Sequence, residues 1–292
     1  MENPYLKFSV IVPVFNQWRL VSKLLTCLSR QTLAREVYEI ILVDNGSDLE
    51  RAPECFGLNV RILHCQKPGS YAARNMGVRA AHAEWLVFTD ADCLPNPDWL
   101  ERIADRIKSV SQSNLVLAGR VTVTQASKNP CAYEIYDFVK GIRQDRYVSR
   151  GYAATANLCV AKSFAEQIGL FNAEVFSGGD VDFCRRALKS GANLVYLASA
   201  NVNHPPRTSW RELAIKARRI KGGQYAKARG LARFMIVFRT LLPPVNAFKD
   251  FLYSGQYSFK FRVLAAMVQV RLWFLEVCEL FRLAVNGQAE RR

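Results

Sequence analysis

The chain has 292 residues, half of them apolar, with 40 Lys and Arg against 25 Asp and Glu. That is enough apolar material for one large domain, or one domain with a smaller appendage, and no low-complexity tract or fixed-period repeat argues for anything else. Eight cysteines, at 27, 55, 65, 93, 131, 159, 184 and 278, stand singly without a Cys-x-x-Cys pair. This argues against structural zinc and a disulfide framework, and for free thiols in a reducing cytosol. The first residues hold neither a basic region nor an apolar stretch of signal-peptide length, so export is not expected. Charge is unevenly spread: residues 1–206 carry a net +3 and residues 207–292 a net +12. A basic, apolar-rich back end suits an anionic membrane surface. Nucleic acid is the competing partner. It is not expected here, because the basic residues are interleaved with aliphatic runs that a nucleic-acid arm would not need.

In chain order, residues 8–14 form a short apolar run that predicts a buried strand. Asn16 is placed to cap a helix running to about residue 30. Residues 39–43 read as a second strand, closed by the turn cluster Asp44-Asn45-Gly46-Ser47-Asp48. Residues 59–64 read as a third. Pro68-Gly69-Ser70 then opens a helix to residue 81, with Ser70 as its N-cap. Residues 85–89 form a fourth strand ending in Asp90-Ala91-Asp92, and Pro97 starts a helix to about 108. Strand and helix in alternation imply a Rossmann-like, mostly parallel sheet with helices on both faces. Beyond it, 114–124 reads as one or two strands, 131–140 as helix, 156–161 as strand, 163–168 and 180–189 as helices, and 193–196 as a late strand. A basic helix spans 209–229, Pro243-Pro244 interrupts the stretch after it, and a long apolar helix covers 261–285. In that last helix Arg262, Gln269, Glu276 and Glu279 share one arc of roughly 100°. Charges in mid-span make it a poor membrane-crossing helix. It either lies at an interface or packs on the domain. Domains are therefore expected at 1–206, with a nucleotide half to about 110 and an acceptor half after it, and at 207–292 as a basic helical region.

In an open parallel sheet a ligand sits beyond the carboxyl ends of the strands. Asp90 and Asp92 lie there, two apart, and a divalent cation shares such carboxylates with phosphates. Asp-x-Asp is also an ordinary strand end. Asp44, after the second strand, can accept from a base or ribose, or simply shape its turn. Ser70, Ala73, Arg74 and Asn75 open a helix whose backbone N–H groups and one cation suit a phosphate or ribose. In Gly178-Gly179-Asp180-Val181-Asp182 the glycines admit a ligand close to the backbone, and a carboxylate at the helix start can serve as general base or as a cap. His204 precedes two prolines and can complete a metal shell or be structural.

Four motifs stand in order: Ser-Val-Ile-Val-Pro-Val-Phe-Asn-Gln at 9–17, Ile-Leu-Val-Asp-Asn-Gly-Ser-Asp at 41–48, Ser-Tyr-Ala-Ala-Arg-Asn-Met-Gly at 70–77, and Phe-Thr-Asp-Ala-Asp-Cys at 88–93. Ala-Thr-Ala-Asn-Leu-Cys-Val at 154–160 and Gly-Gly-Asp-Val-Asp-Phe at 178–183 come after them. Together they resemble the family 2 glycosyltransferases of GT-A fold over about the first 210 residues. The resemblance implies inverting transfer of a sugar from a nucleotide diphosphate sugar, UDP-linked in the first instance. The expected acceptor is a hydroxyl of a glycan or lipid-linked molecule in cell-surface polysaccharide or glycolipid synthesis; the basic back end suggests a cytoplasmic protein peripheral on the inner face of the cytoplasmic membrane. By the same resemblance Pro13, Val14 and Asn16 line the nucleotide pocket. Asp44 holds the base, and Ser70, Arg74, Asp90 and Ala91 the ribose and diphosphate. Asp92, with Asp90 and His204, holds Mn²⁺ or Mg²⁺, and Asp180 is the catalytic base. Asn157, Gly178, Gly179 and Asp182 face the acceptor. One departure stands out: the family often has Glu-Asp where this chain has Gly179-Asp180, which leaves open a nucleotide-sugar-binding protein without turnover.

Overall fold

The computed structural model describes residues 6–48, 53–110, 112–175 and 177–287. The strands are β1 (Phe8–Val14), β2 (Tyr38–Asp44), β3 (Val60–His64), β4 (Trp85–Thr89), β5 (Leu94–Pro95), β6 (Leu115–Val123), β7 (Asn157–Ala161) and β8 (Asn193–His204). The helices are α1 (Trp18–Leu28), α2 (Ser70–Ala80), α3 (Trp99–Val110), α4 (Ala132–Lys140), α5 (Gln144–Ser149), α6 (Lys162–Gln167), α7 (Gly179–Lys189), α8 (Trp210–Lys227), α9 (Gly230–Leu241), α10 (Val245–Leu252) and α11 (Phe259–Asn286).

Two compact units are present. One comprises Met1–Thr122, Arg143–Glu174 and Gly179–His204; the other comprises Val123–Ile142, Val175–Gly178 and Pro205–Arg292. The C-terminal part of the second unit begins at Pro205, where the expected boundary stood at 206, and two segments from the middle of the chain join it. The apolar face of α4 explains the first of them. Ile135, Phe138 and Val139 bury themselves with Leu213, Phe251, Ala265, Val268 and Leu272 of the C-terminal helices.

The first unit holds one eight-stranded sheet in the order β3-β2-β1-β4-β7-β6-β8-β5. β1 to β4 are mutually parallel where they pair, while β7 runs antiparallel to β4 and β6, and β5 antiparallel to β8. The parallel part is the half expected from the alternating pattern. Its strands β1, β2 and β4 are buried on both faces, which is why they read as apolar runs. Glu39 is the exception inside β2. It accepts hydrogen bonds from Ser9 Oγ (2.6 Å), the His82 N–H (2.7 Å) and Arg61 Nη2 (2.6 Å), joining β1, β3 and the turn before β4. Burial alone pushes this carboxyl up; the Ser9, His82 and Arg61 hydrogen bonds outweigh it and hold the carboxyl below its ordinary range.

Three local expectations are corrected. Asn16 does not cap α1. It sits at φ 54° and bonds across to the turn after β2, and Gln17 precedes the helix without a side-chain cap. Ser70 is the first helical residue, not the cap; that place belongs to Gly69, whose N–H donates to Asn45 Oδ1 at 2.6 Å. The late strand runs on to His204, because its polar half is pinned from outside: Thr122 Oγ1 donates to Asn201, and Asn203 Nδ2 donates to Asn96 Oδ1.

In the second unit α11 buries polar groups alongside its apolar packing. The polar arc noted in the sequence faces inward. Gln269 accepts from Tyr136 Oη (2.9 Å), Glu276 pairs with Lys221 (3.1 Å), and buried Glu279 pairs with Arg282 (2.6 Å). Pro243-Pro244 separates α9 from α10, as expected.

Gly77 on α2 crosses β1 so closely that a Cβ there would lie 2.5 Å from Ile11 Cγ2. Gly77→Ala is therefore expected to destabilise the protein by about 1–3 kcal/mol, the usual cost of overpacking a tight core, read as a lowered denaturant midpoint with unchanged slope.

Candidate active site

The candidate polar residues of the first unit are organised around the carboxyl ends of β1, β2 and β4. Val14 stands opposite Asp44 in the parallel register of β1 and β2. Half-buried Pro13 and buried Val14 end β1 there, beside the turn. Asp44 shapes that turn. Its Oδ1 accepts from Ser47 Oγ at 2.5 Å and its Oδ2 from the Ser47 N–H at 3.2 Å. Asn16 completes it: its N–H donates to Ser47 Oγ (2.9 Å), its Nδ2 to Asp48 (2.9 Å), and its Oδ1 accepts from the Asp48 N–H (2.9 Å). Asp44 is thus an Asx-turn residue in this structure, with the turn as its partner.

Arg74 is buried on the first turns of α2 and donates from Nη2 to Asp90 Oδ1 at 2.5 Å. Its guanidinium carbon lies 5.9 Å from the centre of the Tyr71 ring. Its Nε is buried and has no hydrogen-bond partner among the described residues, as expected of a cation placed for an anion that arrives later. Exposed Ser70 opens the same helix. Ala91 is buried between the two acids.

Asp92 Oδ2 lies 3.5 Å from Nε2 of buried His204. Ligand atoms of Asp90, Asp92 and Cys93 lie within 4.8 Å of one another. Cys93 is a poor member of that set. Its Sγ points to the Ala156 carbonyl (3.8 Å), and burial, then the charges of Asp90 and Asp92, push the thiol well up. Two carboxylates and an imidazole remain, a donor set that fits Mn²⁺ or Mg²⁺ sharing a diphosphate.

Asp180 opens α7 and reaches the same network through Tyr71. Its Oδ1 accepts from the Val181 N–H (2.9 Å) and from Tyr71 Oη (3.3 Å). Burial raises this carboxyl, against the opposing pull of the Val181 N–H, Arg74 and Tyr71. Tyr71 is itself pushed up to about 12, by burial first and the Asp180 charge second. An aromatic column places these groups. Tyr71 stacks on Phe171 at 5.8 Å, Phe171 on Phe183 of α7 at 4.5 Å, and Phe88 of β4 meets Phe171 edge-on at 5.2 Å. Tyr71 is the participant that sequence reasoning missed. It lay inside the motif at 70–77, three residues before Arg74, a spacing that sets both side chains on one helix face.

The remaining expected residues go elsewhere. Asn157 is consumed by the fold: its Oδ1 accepts from Trp99 Nε1 (3.0 Å), and its Nδ2 donates to the carbonyls of Arg120 (2.8 Å) and Ala200 (3.0 Å). With both N–H donors engaged inside the sheet, it is a staple between strands rather than an acceptor contact. Asp182 pairs with Arg186 Nε at 3.0 Å, and that guanidinium binds the carbonyls of Ile168 and Leu170. Gly178 belongs to the second unit, where its carbonyl accepts from Lys227 Nζ at 3.2 Å.

Residues 9–163 match the family described as glycosyl transferase family 2. The chain belongs to that family. The glycosyltransferase AglE of Haloferax volcanii is 33% identical over 223 residues, covering 74% of this chain and 72% of that protein. The pre-mycofactocin glycosyltransferase of Mycobacterium tuberculosis is 28% identical over 214 residues, covering 70% of this chain but 44% of that protein. Residues 1–349 of S. aureus TarS, solved in complex with UDP-GlcNAc, superpose with a TM-score of 0.55 at 13% identity, over 97% of this chain and 93% of that one. The last likeness establishes the GT-A fold.

Within this glycosyltransferase the departure at Gly179 has a steric cause. A Cβ at Gly179 would lie 2.6 Å from Tyr71 Cε2. The Tyr71 ring occupies the space that an acidic side chain would need, and its hydroxyl is the group that touches Asp180. A carboxyl whose folded pKa is raised contributes stability that is present below the ordinary carboxylate range and lost as pH rises through the raised value. Asp180→Asn is therefore expected to melt at a higher temperature than wild type at neutral pH. That advantage should vanish in acid below the ordinary carboxyl range; a variant less stable than wild type at neutral pH would contradict the assignment.

Proposed function

We propose that this glycosyltransferase moves a sugar, with inversion, from a UDP-linked donor to a hydroxyl of a glycan or lipid-linked acceptor. The product belongs to cell-surface polysaccharide or glycolipid synthesis at the inner face of the cytoplasmic membrane. The observation that carries the reading is the joining of three chain segments through Arg74 and Tyr71: Asp90 on one side, Asp180 on the other. Further relatives support it by their activities, which include poly(ribitol-phosphate) N-acetylglucosaminyl transfer and chondroitin synthesis.

Asp92 and Asp90, with His204, would hold Mn²⁺ or Mg²⁺. When bound, such an ion neutralises charge on the leaving diphosphate. Arg74 adds a buried positive charge on the same side, and its Nε supplies a donor for a phosphate oxygen. Pro13, Val14 and the Asp44 turn would wall the nucleotide, with Asp44 and Asp90 as acceptors for base and ribose. Asp180 takes the proton of the acceptor hydroxyl as that oxygen attacks the anomeric carbon. The bond from that carbon to the diphosphate oxygen breaks, and its electron pair leaves with the nucleotide. The raised carboxyl of Asp180 makes it a stronger base once ionised, and Tyr71 orients it.

Two measurements test this. Calorimetry is expected to show UDP binding in Mn²⁺ that Asp92→Asn weakens about tenfold or more; no nucleotide binding in the presence of the ion would overturn the reading. At saturating donor and acceptor, Asp180→Asn is expected to lower kcat by about 10²–10⁴-fold while leaving UDP affinity intact. The acid limb of kcat should lie above the ordinary carboxylate range and move higher in Tyr71→Phe, which removes a hydrogen bond to the ionised form.

A further inference from the structure

Exposed apolar side chains are not scattered over this protein. Of eighteen large ones among the described residues, sixteen lie between 231 and 285, all in the second unit. On α11 they form a row from Phe259 through Val263, Met267, Val270 and Phe274 to Phe281, each 36–69% exposed. The spacings are 4, 4, 3, 4 and 7, so the row keeps to one side of the helix for its whole length of about 40 Å. A second row runs along α9: Leu231, Phe234, Met235, Phe238 and Leu241. The face of α9 opposite that row is the docked one, where buried Thr240 accepts from Trp273 Nε1 of α11 through its carbonyl at 2.8 Å.

The other side of α11 holds the unit's apolar packing together with the inward-facing Gln269 and Glu279. An ordinary helix on a protein surface hides one apolar stripe and shows a polar one; α11 hides one apolar stripe and shows another. Rows of exposed large apolar side chains along a helix mark a surface that is covered in use.

Charge identifies what covers it. Exposed Lys260 and Arg271 stand eleven residues, three turns, apart along one edge of the α11 row. Arg271 is fixed there, its guanidinium 3.9 Å over the Trp210 ring and bonded to Tyr133 Oη at 2.7 Å. Exposed Arg239 flanks the α9 row. Residues 207–292 carry a net +12, and their acids Glu276 and Glu279 are spent on inward pairs. Apolar rows edged by cations fit an anionic bilayer surface, with the aromatic and aliphatic groups at the acyl boundary and the cations at the phosphates. A crossing helix does not fit: no single described helix is long and apolar enough, and the pair α9 and α10 is bent by 49°.

We infer that the exposed rows of α9 and α11 are the lipid-contacting surface of this glycosyltransferase, lying flat on an anionic bilayer. The inference rests on the membrane-facing part of the proposed function and names the residues that perform it.

Flotation of the full chain with phosphatidylcholine vesicles, with and without phosphatidylglycerol, tests it. The wild type should float with the anionic vesicles and be released by high salt. Phe234→Glu/Phe238→Glu and Met267→Glu/Phe274→Glu change exposed groups only, and each pair should lower the bound fraction at least tenfold. UDP affinity in Mn²⁺ should stay unchanged in both. A wild type that ignores anionic vesicles, or charged variants that float equally well, would overturn the inference. So would a wild-type dimer that Phe274→Glu dissociates, since the face would then belong to a second copy. A chain that binds UDP and ignores vesicles sinks this inference and leaves sugar transfer standing.

Discussion

One buried guanidinium organises the mouth of the sheet. Arg74 is held on α2 against Asp90 at the end of β4, under the Tyr71 ring. A buried cation needs a partner close by, because water is not there to screen it. Asp90 meets part of that need, and the bare Nε leaves part of it for a ligand. Asp92, His204 and Asp180 then take their places around a site that is already electrostatically biased toward an anion. A substitution at Arg74 would alter all of them at once, which is why their separate effects are not expected to add.

Tyr71 links the two chemistries of this site. Its ring faces Arg74, proposed for the diphosphate side, and its hydroxyl faces Asp180, proposed for the acceptor side. The same ring closes off the space beside Gly179. The loss of an acid there and the presence of this tyrosine are thus two sides of one packing arrangement. The aromatic column through Phe171 and Phe183 gives it rigidity, so the helix bearing Asp180 is positioned by core packing rather than by a loop.

The helical unit obeys a different rule. Its basic residues are numerous, yet several are used inward, on Glu276, Glu279 and Asp137. Burying polar groups on one side of α11 while a second apolar face stands exposed is costly for a helix in water. The arrangement makes sense if the outward face is not in water during function.

Much of this protein was determined by its sequence alone. Unbroken apolar runs bounded by turn clusters specified β1, β2 and β4 almost to the residue, since strands buried on both faces have no polar alternation to obscure them. The ordered motifs also specified the family and the rim where Asp90, Asp92 and Arg74 meet. The tertiary structure decided what depends on distant partners. Asn157 has the look of a site residue until its three bonds to strands and helix are seen, and Asn16 looks like a cap until Asp48 claims it. The polar end of β8 carries no strand pattern and forms because Asn96 and Thr122 pair with it. Which side of α11 faces outward could not be read either, because a helix with apolar residues on two faces has no preferred side until α4 and α8 offer their hydrogen-bonding groups and cations to its polar arc.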